Sequence, residues 1–184
     1  MFNYDVLIPC APKDYVKLPY CVEGLKNLNP QPDNIFVVSK DRVNIPNVAW
    51  VYEGTVLPFD VSYLDGIKTR PKWIYQQLIK IGQDITQNNY FAIDSDVVLL
   101  KEFNLAPNKF FISSDQYHRP YFNLMNRMLG IDKKYDFSFI SDMMLFDRVL
   151  CRAMTGHIQD FTDKLIPLLD EDNLFETIVT GKQS

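Results

Sequence analysis

Glycine is scarce in this sequence, with 7 residues among 184. Neither a GxGxxG nor a GxxxxGK[ST] pattern occurs. The chain therefore lacks both the dinucleotide-binding fingerprint of Rossmann domains and the Walker A loop, in which glycines let the backbone approach a phosphate closely. Any phosphate that binds here must be held by other groups.

Cysteine and histidine are also few. The three cysteines, Cys10, Cys21 and Cys151, form no CxxC pair, and their odd number and irregular spacing favour reduced thiols in a cytosolic setting. Two histidines without an HExxH pattern are too few for a histidine-rich zinc site. The absence of GxSxG excludes the nucleophile elbow of α/β-hydrolases.

Long apolar runs and a surplus of basic residues are missing as well. No uninterrupted apolar run approaches the roughly 20 residues that span a membrane. The N-terminal segment has Asp5 inside its apolar run and no basic residues before it, so it is typical of a strand and not of a signal peptide. With 19 Lys and Arg against 23 Asp and Glu, the net charge is −4, which excludes the broad basic surface of a general nucleic-acid binder. We expect a soluble protein without a membrane span.

The apolar content of 47% over 184 residues is enough for one domain with a core. Short apolar strands alternate with helical segments, which indicates an α/β fold with a mainly parallel central sheet flanked by helices. We expect a single domain over residues 1–184, which could be the first domain of a longer chain. Strands are predicted at Tyr4–Pro9, Asn34–Ser39, Val48–Tyr52, within Tyr90–Leu100, at Phe110–Ser113 and within Ser138–Asp147; helices at Tyr15–Leu28, Pro71–Ile85, Pro120–Leu129 and His157–Leu169; and a loop at Glu53–Thr69.

The acidic residues are unevenly divided, with 18 Asp and only 5 Glu. Asp is common at caps, turns, strand ends and hard-metal sites. Two of these residues form the motif Asp94-Ser95-Asp96 between two very apolar tetrapeptides. In an extended chain both carboxylates point the same way, and such a pair suits Mg²⁺ or Mn²⁺ that also holds a substrate phosphate. The competing interpretation is that one Asp caps a turn and the other is exposed.

The setting of this motif resembles a GT-A-fold glycosyltransferase. The resemblance covers roughly residues 4–150 and includes the strand and loop at Val6–Pro9, the helix pattern Trp-x-x-Gln-Gln-x-x-Lys that begins at Trp73, Tyr-Phe-Ala-Ile before Asp94, and the later segment Ser138–Asp147. Similar small domains occur in bacterial polysaccharide loci and in large DNA viruses. The resemblance implies a GT-A-like fold and transfer of a hexosyl or deoxyhexosyl group from a nucleotide-sugar.

The resemblance also implies roles for particular residues. Asp94 and Asp96 would bind Mn²⁺ or Mg²⁺. Lys13, Lys40 and Arg70 are candidates to add positive charge near the phosphates, with Arg70 favoured because it opens the helix before the metal motif; the alternative for each is a solvated surface charge. Asp115 is a candidate to bind sugar hydroxyls or to act as a cap. The general base is expected at Asp142, with Glu171, Asp172 and Glu176 as rivals. The predicted nucleotide-sugar site comprises Pro9, Ala11, Lys13, Lys40, Arg70, Gln77, Asp94, Ser95, Asp96 and Asp115.

The expected partners follow from the same resemblance. The donor would be a UDP-sugar, with GDP- and dTDP-sugars as alternatives, and the acceptor a glycan or glycoprotein. The negative net charge predicts no nucleic-acid partner, and the cysteine pattern predicts a cytoplasmic protein, in the host cytoplasm if the source is viral.

Two alternatives stay open at this point. Asp94-Ser95-Asp96-Val97-Val98 fits the Asp-x-Asp-x-Thr/Val pattern of haloacid-dehalogenase-like phosphotransferases, in which the first Asp is the nucleophile. That motif normally follows the first core strand, whereas at least three strands are predicted before it here. The other alternative is a nucleotide-sugar or carbohydrate-binding module without turnover.

Overall fold

The computed structural model describes residues 2–68, 70–107, 111, 119–137 and 141–171. The strands are β1 (Asp5–Cys10), β2 (Leu28–Asn29), β3 (Ile35–Ser39), β4 (Ala49–Tyr52), β5 (Asn89–Ile93), β6 (Phe103–Asn104) and β7 (Met143–Asp147). The helices are α1 (Leu18–Gly24), α2 (Pro71–Gly82), α3 (Arg119–Leu129), α4 (Arg148–Thr155) and α5 (Ile158–Glu171), with short 3-10 helices at Pro12–Asp14, Leu25–Asn27, Glu53–Thr55 and Val61–Leu64.

A five-stranded sheet in the order β4-β3-β1-β5-β7 forms the centre of the molecule. The strands β4, β3, β1 and β5 are parallel, and β7 is antiparallel to β5. A second small sheet pairs β2 with β6, with Leu28 opposite Phe103. The sequence prediction of an α/β fold with a mainly parallel sheet is confirmed.

The two faces of the sheet are covered by separate apolar clusters. Side chains alternate along β1, so Leu7 packs with Ile74 and Leu78 of α2, whereas Val6 and Ile8 pack on the opposite face with residues of α1. All six residues of β1 are buried, and β1 is the central strand of the sheet. Its one charged residue, Asp5, accepts hydrogen bonds from Asn34 and Gln87.

Three elements differ from the sequence prediction. The helix expected over Tyr15–Leu28 is only α1, flanked by two 3-10 turns, because Leu28 already pairs with Phe103 in the small sheet. The expected loop Glu53–Thr69 contains two 3-10 helices and buries Leu57 and Leu64 against α2.

Helix α4 is not among the predicted helices. It follows β7 directly, and the Asp147 carboxylate caps it by accepting from the N–H groups of Val149 and Leu150. The predicted strand Phe110–Ser113 lies outside the described residues except at position 111.

Gly24, at the end of α1, provides a test of this packing. A Cβ atom there would lie 2.7 Å from the backbone nitrogen of Leu99. Because backbone cannot move aside cheaply, we expect Gly24→Ala to lower the free energy of unfolding by about 1–3 kcal/mol. The matched control is Gly66→Ala, where a Cβ would meet nothing within 4 Å and a small or stabilising effect is expected. Urea denaturation of the two variants checks this; equal effects would contradict it.

Candidate functional site

The carboxyl ends of the parallel strands meet at one edge of the sheet, and β7 begins at that edge because it runs the opposite way. Asp94 follows β5 and Asp142 precedes β7, so the two residues are neighbours although they are far apart in the chain. The N–H of Asp94 donates to the carbonyl of Asp142 at 2.8 Å. Ligands of α/β sheets bind beyond this edge, so it is where a site is expected.

The motif Asp94-Ser95-Asp96 forms a turn and does not continue the strand. β5 ends at Ile93, and the N–H of Val97 donates to the carbonyl of Asp94 at 3.1 Å. The argument that an extended chain points both carboxylates the same way is therefore wrong for this segment. Ser95 is buried, close enough to Cys10 to lower the pKa of that thiol against the effect of burial, and the Cys21 thiol donates to the Asp94 carbonyl at 3.7 Å.

Asp94 forms an ion pair with Lys80 of α2. The Lys80 Nζ lies 2.6 Å from Asp94 Oδ1, with 8% of the lysine side chain and 26% of the aspartate side chain exposed. Burial raises the pKa of the Asp94 carboxyl above its ordinary value; the Lys80 ammonium acts in the opposite direction, and the charges of Asp142 and Asp96 add to the increase. Several negative charges are thus concentrated at this edge, and the buried Lys80 compensates only part of them.

Asp96 contacts a different lysine. Its Oδ2 lies 3.4 Å from Lys17 Nζ, which is also 3.0 Å from Asp14 Oδ1. About half of both the Lys17 and the Asp96 side chains is exposed. Hydrogen bonds to Asp14 and, to a smaller extent, to Asp96 raise the pKa of the Lys17 ammonium. Because this pair is exposed, Lys17 can exchange Asp96 for another anion at little cost.

The described residues bring together no group of three His, Cys, Asp or Glu side chains that could hold a metal ion by themselves. Mg²⁺ is usually bound by one or two carboxylates together with substrate phosphates and water. Asp94 and Asp96 offer hard oxygen ligands, and they lie close enough that the charge of Asp96 raises the pKa of Asp94. Asp94 and Asp96 are therefore the candidate ligands for a divalent cation that is shared with a phosphate-bearing ligand.

Two cavities open at this edge of the sheet. The first, which we call the β1–β4 cavity, has a volume of about 330 Å³. The second, the β5–β7 cavity, has a volume of about 320 Å³. The β1–β4 cavity is lined by residues that include Pro9, Ala11, Lys40, Tyr52, Glu53, Lys72 and Gln76; the β5–β7 cavity is lined by residues that include Trp73, Gln77, Lys80, Asp94, Tyr121 and Asp142.

Helix α2 contributes to both cavities because its successive residues face different sides. Trp73, Gln77 and Lys80 share one face at helical spacing and line the β5–β7 cavity. Lys72 and Gln76 line the β1–β4 cavity, and the Gln76 side chain donates to the carbonyl of Pro9 at 3.4 Å. The helix therefore places one row of side chains beside Asp94 and another beside the end of β1.

The predicted site residues separate into groups. Pro9, Ala11 and Lys40 line the β1–β4 cavity, whereas Gln77, Asp94 and Asp142 line the β5–β7 cavity. Lys13 has 82% of its side chain exposed, with Asp14 at 3.8 Å, and Arg70 precedes α2 in a left-handed conformation; neither is among the residues that line the two cavities. Asp115, Asp172 and Glu176 lie outside the described residues, and Glu171 is the last residue of α5.

Sequence reasoning missed Lys80 and Glu53 as site residues. A lysine three residues after Gln77, on the same face of the helix and between the apolar residues Ile79 and Ile81, was the available signal for Lys80. For Glu53 the signal was its position directly after β4, since polar residues that follow parallel strands meet at one edge.

Comparisons with known proteins gave structural similarity without sequence similarity. No protein-family model matches the chain, and no curated protein matches it. The chain is similar to the galactosyltransferase LgtC solved with donor and acceptor sugar analogues, at 11% identity over 90% of this chain and 70% of that one, with a TM-score of 0.47. It is also similar to the apo form of the glycosyltransferase GlyE of Streptococcus pneumoniae, at 12% identity over 96% of this chain and 44% of that one, with a TM-score of 0.47.

The helices of the described residues include none that is long and apolar enough to cross a bilayer.

Proposed function

We propose that this chain is a metal-dependent glycosyltransferase that moves a hexosyl or deoxyhexosyl group from a nucleotide-sugar to a hydroxyl of a glycan or glycoprotein. The observation that supports this most is the meeting of Asp94, Asp142 and Lys80 in the β5–β7 cavity, at the strand edge that also carries the β1–β4 cavity. A nucleotide-sugar and its acceptor need two such spaces, one for the nucleoside and one where the transferred sugar meets the acceptor hydroxyl.

The β1–β4 cavity is the proposed nucleoside site. It has an exposed aromatic ring, Tyr52, on which a base can stack. It also has two lysines, Lys40 and Lys72, whose charges favour a ligand that carries a diphosphate. Its volume of about 330 Å³ falls within the range of small-molecule sites.

The diphosphate is placed at the turn Asp94–Val97. When bound, Mn²⁺ or Mg²⁺ at Asp94 and Asp96 would neutralise negative charge on the leaving diphosphate. Lys80 keeps the Asp94 carboxylate in position through the 2.6 Å ion pair. Lys17, which is half-exposed beside Asp96, is available to pair with a phosphate oxygen.

The acceptor is placed at the β5–β7 cavity, with Asp142 as the general base. Asp142 is exposed and lines this cavity, so its carboxylate can accept a proton from an acceptor hydroxyl. Its backbone is held beside Asp94 by the 2.8 Å hydrogen bond, which fixes the distance between the base and the phosphate-binding turn.

The test is calorimetric titration with nucleoside diphosphates, with and without Mn²⁺, followed by an assay for slow hydrolysis of nucleotide-sugars. We expect Mn²⁺-dependent binding and measurable hydrolysis. Binding without any hydrolysis would favour a non-catalytic module. Mg²⁺-dependent turnover of an aryl phosphate with a phospho-aspartate would favour the haloacid-dehalogenase-like alternative, which is disfavoured because β1, β3 and β4 all precede the motif strand in the main sheet.

Asp142→Asn is expected to retain donor binding and to lose about 100-fold or more of the transfer rate, because the amide cannot accept the proton. Donor affinity is measured by titration and transfer by release of nucleoside diphosphate. Asp65→Asn, at an exposed position outside the residues that line both cavities, is the control. An unchanged transfer rate in the Asp142→Asn variant would show that Asp142 is not the general base.

A further inference from the structure

Glu53 is a half-buried carboxylate in the wall of the β1–β4 cavity. It directly follows β4. Its backbone is held in place, because its carbonyl accepts from the Tyr75 hydroxyl at 3.0 Å and from the N–H of Val56 at 3.3 Å. Among the residues that the structure describes, none donates a hydrogen bond to its side chain. A partly buried acceptor of this kind is satisfied by water or by a ligand that supplies N–H groups.

Charges of both signs surround the Glu53 carboxylate. Burial raises the pKa of the Glu53 carboxyl and the charge of Asp41 adds to the increase, while the ammonium groups of Lys40 and Lys72 act in the opposite direction. Both lysines line the same cavity. An ionised carboxylate accepts hydrogen bonds and cannot donate them, so it discriminates between ligands by the donors they present.

The four common classes of nucleobase differ in the hydrogen-bond donors that they present to a carboxylate. Guanine presents two adjacent donors on one edge, the ring N1–H and the exocyclic N2 amine, which match the two oxygens of a carboxylate. Uracil and thymine present a single N–H between two carbonyl oxygens, and these oxygens repel a carboxylate. Cytosine and adenine place one amine beside an unprotonated ring nitrogen. Only guanine can therefore make a bidentate contact with Glu53.

Tyr52 supplies a surface for a base next to this carboxylate. Its side chain is 46% exposed and lines the cavity. The ring lies directly over Gly54, where an added Cβ would be 2.7 Å from Tyr52 Cε1. The Tyr52 ring can occupy this position because Gly54 has no side chain. A base stacked on the ring would lie beside Glu53, whose carboxylate would contact the hydrogen-bonding edge of the base.

We propose that Glu53 selects guanine in the β1–β4 cavity, so that the donor is a GDP-sugar. This inference rests on the proposed function and narrows it. The family resemblance favours a UDP-sugar. The carboxylate in the β1–β4 cavity favours a GDP-sugar instead, because it accepts hydrogen bonds from guanine.

The experiment compares GDP, IDP and UDP by calorimetric titration in the presence of Mn²⁺. IDP is GDP without the exocyclic amine, so it keeps N1–H and loses the second donor. We expect GDP to bind about tenfold or more tightly than IDP or UDP, as for the loss of a hydrogen bond to a charged group. Glu53→Gln is expected to remove this preference by weakening GDP alone, since an amide offers one acceptor and one donor.

The control is Glu23→Gln, the same substitution in an exposed pair with Lys26, which should leave all three affinities unchanged. The backbone contact of Tyr75 with Glu53 does not involve the side chain, so the Glu53 variant should stay folded. UDP binding as tight as GDP binding would overturn the inference and leave the proposed function intact, as would an equal loss of GDP and UDP in the variant. Absence of binding by every nucleotide would overturn both.

Discussion

Asp94→Asn is expected to lower the rate of sugar transfer by about 100- to 1000-fold, the loss typical when one preorganised electrostatic group is removed from an active site. The amide keeps the size of the side chain but loses the negative charge that a divalent cation requires. Asp94 both lines the β5–β7 cavity and pairs with Lys80, so the substitution removes the charge at the centre of the proposed site.

Three measurements check this expectation. Transfer is followed by release of nucleoside diphosphate, Mn²⁺-dependent nucleotide binding by calorimetry, and folding by circular dichroism. Asp160→Asn, at an exposed position in α5, is the control and should behave as the unmodified chain. Wild-type transfer and unchanged Mn²⁺ dependence in a folded Asp94 variant would contradict the proposed metal site.

Lys80→Met is expected to lower the free energy of unfolding by about 3 kcal/mol, near the lower end for removing one partner of a buried ion pair. The methionine fills the space of the lysine stem but leaves the Asp94 carboxylate without its counter-ion. The double variant with Asp94→Asn should recover part of this loss, because it no longer buries an uncompensated charge, while transfer stays absent.

The chain provides a matched control in Lys26→Met. Lys26 and Glu23 are also 2.6 Å apart, but 71% and 67% of their side chains are exposed. An exposed pair contributes about 1 kcal/mol or less, so this variant should be almost as stable as the unmodified chain. Equal destabilisation by the two lysine substitutions in urea denaturation would show that burial does not increase the contribution of the Lys80–Asp94 pair to the free energy of unfolding.

The stability of the Lys80→Met variant should also depend on pH. The pKa of Asp94 is raised in the folded protein, and removal of Lys80 raises it further because the opposing charge is gone. The folded state then binds this proton more tightly than the unfolded state, so stability falls as the pH rises above the ordinary carboxyl pKa. In buffer with a chelator, the destabilisation by Lys80→Met should therefore be smaller at pH 5 than at pH 8.

The main elements of the fold were predictable where the apolar pattern is strong. The strands that contain Val6–Pro9 and Ile35–Ser39 and the helix that begins at Pro71 lie where sequence reasoning placed them, because buried strands are continuously apolar and proline favours the first helical turn. Helix α4 was missed since it begins immediately after β7. Its N-cap, Asp147, is a residue that also ends a strand, and the local pattern does not separate the two elements.

The amino-acid sequence alone determined that Asp94 and Asp142 lie at the ends of apolar strands, because such strands are buried and polar residues at their ends are brought to a sheet edge. Only the tertiary structure decided what surrounds them. The crossing of α2 over the sheet places Lys80 2.6 Å from Asp94, and the antiparallel entry of β7 places Asp142 beside β5. The ends of β1, β3 and β4 enclose Glu53 in a cavity. These contacts join residues that are distant in the chain, so strand order and helix orientation determine them, and local sequence patterns do not encode either.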